Sequence, residues 1–151
     1  MNCFEFIISS ITAIIAIFAA LITYQQYYIN KTKFKFELFD KRFLVFSKLK
    51  EFIILVNKEG GKISIDEINQ FNIQTIEHKF LFDKKINDYF KNLLSNVFSL
   101  RSIETDMKNN LNGQINRIEN QQKLKELTFW FTDQVESIES LFQVYLSIKE
   151  R

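Results

Sequence analysis

Nineteen consecutive residues near the N-terminus, Phe6 to Tyr24, carry no charge, and this run constrains the chain more than any other feature. As a helix rising 1.5 Å per residue it is about 28 Å long, close to the thickness of a bilayer's hydrocarbon core. Ten of its residues are Ile, Leu or Phe. Each is worth about −0.3 to −0.6 kcal/mol on insertion into lipid, which outweighs Ser9, Ser10, Thr12 and Thr23. A cleaved signal peptide fits less well, because the leader Met1 to Glu5 has no basic residue and the apolar run passes directly into further helical sequence. Residues 1–28 are therefore expected to be a transmembrane anchor and residues 29–151 a separate domain.

The charges around the span set its orientation. None of the first thirty residues is basic, whereas Lys31, Lys33 and Lys35 follow closely, so the N-terminus should face out and the C-terminal domain the cytoplasm. Tyr24, Tyr27 and Tyr28 fall where the helix leaves the hydrocarbon, a place that suits rings with one apolar and one wet end. With a Debye length of about 8 Å, only those first three lysines feel the leaflet, at roughly 1 kcal/mol each.

Between Ile29 and Lys50 there are seven basic residues against Glu37 and Asp40, a local net charge of +5; the remainder, from Glu51, has thirteen basic and fifteen acidic residues. A basic neck on a nearly neutral domain suits contact with a leaflet and not the footprint of a nucleic-acid binder. Lys41 and Arg42 lie beyond the reach of lipid. They form either a solvated helix face paired with Glu37 and Asp40 or, with Asp40, a surface that binds a partner.

With no proline and only three glycines, the domain has few helix breakers and few tight turns, which points to an all-α fold. Phe36, Phe39, Phe43, Phe46, Leu49, Ile53 and Val56 recur in steps of three and four, widened by Leu38, Val45 and Phe52. One nearly continuous helix is expected from the span to Asn57, stopped by Gly60 and Gly61. Ser64 and Glu67 have capping-box spacing, so a short helix should start there, with Ile65, Ile68, Ile73 and Ile76 as its apolar side. Phe80, Leu81 and Phe82 should be buried at a corner, and Asp83 should cap the next helix. That helix presents Ile86, Phe90, Leu93, Val97 and Leu100. Asn109 to Gly113 reads as a turn, and a last helix carries Leu124, Leu127, Phe131, Val135, Ile138, Phe142 and Tyr145. Together these predict an N-terminal transmembrane helix continuing into an antiparallel helical bundle, with Trp130 as a packing anchor.

Chemistry is sparse. One cysteine, Cys3, and one histidine, His78, cannot build a Cys/His zinc site, no Glu-x-x-His pair suggests a bridged metal, and no glycine-rich loop precedes a helix. His78, beside Glu77 and Lys79, is expected at a partly exposed helix end. No cofactor, nucleic acid or small-molecule substrate is expected, and no enzyme. Cys3, at the outer interface, is open to lipidation or an intermolecular disulfide.

The order of an apolar span, Tyr24-Gln25-Gln26-Tyr27, then Leu38-Phe39-Asp40-Lys41-Arg42-Phe43, Phe80-Leu81-Phe82 and Trp130-Phe131, is similar to a widespread group of uncharacterised small bacterial single-span membrane proteins. Most of the chain takes part, and Leu38 to Phe43 is the most specific element. The resemblance implies a bacterial inner (plasma) membrane protein with a cytoplasmic helical domain, and brings no catalytic role to any residue. The expected function is a membrane-tethered interaction module that contacts the lipid bilayer and binds an unknown protein partner or a second copy of itself. The alternative is a membrane-perturbing effector such as a toxin or defence component.

Overall fold

The computed structural model describes residues 3–108 and 114–147, with side chains for 7–108 and 117–147. Five α-helices follow in order: α1 (Cys3–Glu59), a short 3₁₀ turn (Gly60–Lys62), α2 (Ile65–Gln74), α3 (His78–Leu81), α4 (Lys84–Lys108) and α5 (Gln114–Leu146). The described residues contain no strand, so the fold is all-α. The expected turn at Asn109 to Gly113 and the side chain of Cys3 lie outside the described residues.

The chain forms two compact units, Met1–Leu38 and Phe39–Arg151. The first carries the uninterrupted early part of α1. At 100° per residue, Ile7, Ile11, Ile14, Phe18 and Leu21 share one side of it, and Ala13, Ala16 and Ala20 the opposite side. The large residues are half or more exposed. Thr12, Thr23 and Thr32 satisfy their hydroxyls by donating to the carbonyls of Ile8, Ala19 and Tyr28, one turn back, at 2.9, 2.8 and 3.0 Å.

The second unit is a bundle, and three cross-helix contacts fix its sense. Arg42 meets Tyr145, Lys50 meets Glu139 and Asn57 meets Phe131, so α5 runs antiparallel to α1. The chain descends along α1 and returns through α2 and α3 to the level of Arg42, whose guanidinium reaches Leu81. It descends again in α4 and returns in α5. The buried seam of α1 is Val45, Leu49, Phe52, Ile53 and Val56, and that of α4 is the predicted Ile86, Phe90, Leu93, Val97 and Leu100. On α5 Phe131, Ile138 and Phe142 are fully buried, while Leu124, Leu127, Trp130, Val135 and Tyr145 pack partly against them.

Helix ends follow local chemistry. Gly60, at φ +60°, takes the left-handed conformation that ends α1. Gly61 serves a different purpose: a Cβ there would fall 2.7 Å from the Leu100 carbonyl and 2.7 Å from the Glu104 Cβ, so its lack of a side chain lets the turn seat on α4. Arg101 secures the same junction by donating to the Ile63 carbonyl. The capping box forms as the sequence predicts. Glu67 N–H donates to Ser64 Oγ at 3.1 Å, and Ser64 N–H to Glu67 Oε2 at 2.8 Å.

Three expectations are corrected. The buried side of α2 is Ile68, Phe71 and, at its end, Thr75, while Ile65, Ile73 and Ile76 face solvent. Phe71 is chosen because its ring stacks between Phe52 of α1 at 3.9 Å and Phe90 of α4 at 5.9 Å, a fit that no isoleucine side chain offers. At the corner, Phe82 is buried but Phe80 is 88% exposed. The chain turns so tightly through α3 that only one of the two rings can point inward. Likewise the α1 stripe is covered only from Val45 onward; Phe36 and Phe43 stay half exposed.

Candidate functional site

A set of polar contacts between helices gathers around Arg42, near the start of the second unit. Arg42 is carried there by the register of the α1 seam, since it falls three residues before Val45 and one helical turn before Phe46. Its Nε donates to the Leu81 carbonyl at 3.1 Å and its Nη1 to the Tyr145 carbonyl at 3.4 Å. Both acceptors belong to the last turns of their helices, where carbonyls have no partner within the helix and carry the negative end of its dipole. The guanidinium also stands over the rings of Phe82 and Tyr145, 5.8 and 5.9 Å from their centroids. One side chain of α1 thus closes the ends of α3 and α5 together.

Asp83 and Tyr145 complete the arrangement. Tyr145 Oη donates to Asp83 Oδ2 at 2.6 Å, and Ile86 N–H donates to Oδ1 at 3.3 Å, so Asp83 caps α4 as the sequence predicts while tying α4 to α5. The phenol's hydrogen bond holds the Asp83 carboxyl below its ordinary pKa and correspondingly raises that of Tyr145. Beside this group Lys41 lies 3.7 Å from Glu77, linking α1 to the α2–α3 connection.

The residues singled out from sequence therefore part company. Asp40 is exposed, Lys41 is exposed and paired with Glu77, and Arg42 is half-buried and turned into the bundle. Neither cation pairs with Glu37 or Asp40; Glu37 sits 3.8 Å from Lys33 instead. Tyr24, Tyr27 and Tyr28, at i, i+3 and i+4, share one exposed face of α1, followed by exposed Lys31 and Lys33 and the less exposed Lys35.

His78 departs from expectation. It is 5% exposed, and its ring stacks on Phe90 at 4.0 Å, extending the Phe52–Phe71–Phe90 series to a fourth element. Asn87 Nδ2 donates to the Phe82 carbonyl at 3.4 Å, which orients its amide so that Oδ1 accepts from His78 Nδ1 at 2.6 Å. Burial lowers the imidazole's pKa, against the opposing pull of Asn87, so the ring is held neutral. Its signal in the sequence was the i, i+3, i+4 relation to Phe71, Thr75 and Phe82, which a reading based on its charged neighbours passed over.

Grooves on the surface are shallow and mixed in character. One of about 380 Å³ between α4 and α5 is lined by Asn96, Ser99, Ile103, Leu127 and Trp130, with Lys123 and Glu126 at its rim. Trp130 is half-buried there, its ring edge-on to Phe131 at 4.9 Å. Among the described residues, no three His, Cys, Asp or Glu side chains converge as a metal site would require. Compared with protein families, with curated proteins and with solved structures, the chain matches none.

Proposed function

We propose that this chain is a single-pass membrane protein of the bacterial inner membrane, N-terminus outside, whose cytoplasmic bundle is a non-enzymatic interaction module. The observation that carries the reading is the early part of α1: it is one helix long and apolar enough to span a membrane, and none of its most apolar stretch is buried by the rest of the chain. Ile7, Ile8, Ile11, Ile14, Ile15, Ile17, Phe18, Leu21 and Ile22 would all stand in water without lipid around them. Supporting this, Thr12 and Thr23 already spend their hydroxyl protons on their own helix and so cost little in hydrocarbon. Tyr24, Tyr27 and Tyr28 followed by three lysines match the composition of an inner interface.

The bundle's role as a module rests on how its polar groups are used. Arg42, Asp83, Tyr145, His78 and Asn87 hold helices to one another, which leaves surfaces, not a reactive cleft, as what the domain offers. The test is fractionation of the full chain expressed in a bacterium. It is expected to remain with membranes through alkaline carbonate extraction, and its C-terminal domain to resist protease added outside intact cells. Release by carbonate, or digestion of the domain from outside, would overturn the reading.

A further inference from the structure

We draw no further inference here: the strongest candidate, the shallow groove between α4 and α5 where Ile103, Leu127 and Trp130 line an apolar surface, carries none because nothing in the structure shows what covers it.

Discussion

Arg42 shows how far a residue's role depends on what the fold brings to it. Its two carbonyl acceptors are 39 and 103 residues away in the chain, and both lie at helix ends that would otherwise leave those groups to solvent. Arg42→Ala is expected to cost about 2 kcal/mol in urea unfolding of the detergent-solubilised protein, and Arg42→Lys to recover at most half of it, since an ammonium cannot reach both carbonyls and lie over two rings. His78 makes a prediction of opposite character. Its folded pKa lies below the ordinary value of about 6.5, so below that pH the unfolded chain takes up a proton that the native chain refuses. Stability should hold above pH 6.5, fall as the pH drops below it, and level off once the folded ring also titrates. His78→Phe, which keeps the stack on Phe90, should remove this slope; an unchanged slope would place it on the carboxylates.

At the scale of elements, the junction between α1 and α4 rests on a missing atom. Gly61 has no unusual backbone angle, yet its Cβ position is already taken by Glu104 and the Leu100 backbone. Gly61→Ala should push the turn off α4 and lower stability by about 1–3 kcal/mol, read as a lower thermal midpoint. The aromatic series across four elements, Phe52, Phe71, Phe90 and His78, explains why α2 turns the side it does. Helical spacing permits either row of α2 to face inward, and only ring-to-ring fit against α1 and α4 selects between them.

For the whole molecule, the boundary read from hydropathy, after Tyr28, differs in kind from the packing boundary after Leu38. The first marks where lipid-compatible composition ends and the second where other helices begin to cover α1. The unit Phe39–Arg151 holds every residue of the buried core. A fragment of residues 39–151 is therefore expected to be helical and to unfold cooperatively, checked by circular dichroism through a urea titration. A broad, non-cooperative loss of helix would mean that the bundle needs the preceding part of α1.

Much of this was legible in the chain itself. The long apolar run of α1, the stop at Gly60, the Ser64–Glu67 box, the Asp83 cap and the α4 seam are all written in contiguous or locally spaced residues, and local spacing is what a sequence displays directly. The side of α2 that is buried, the outward turn of Phe80, the burial of His78 and the inward reach of Arg42 each depend on partners tens of residues distant. Two rows of apolar residues on one short helix look alike in sequence, because periodicity records that a face exists and not which neighbour meets it. Only when α1, α4 and α5 close around the chain does steric fit choose between those rows, and the one left outside becomes a surface.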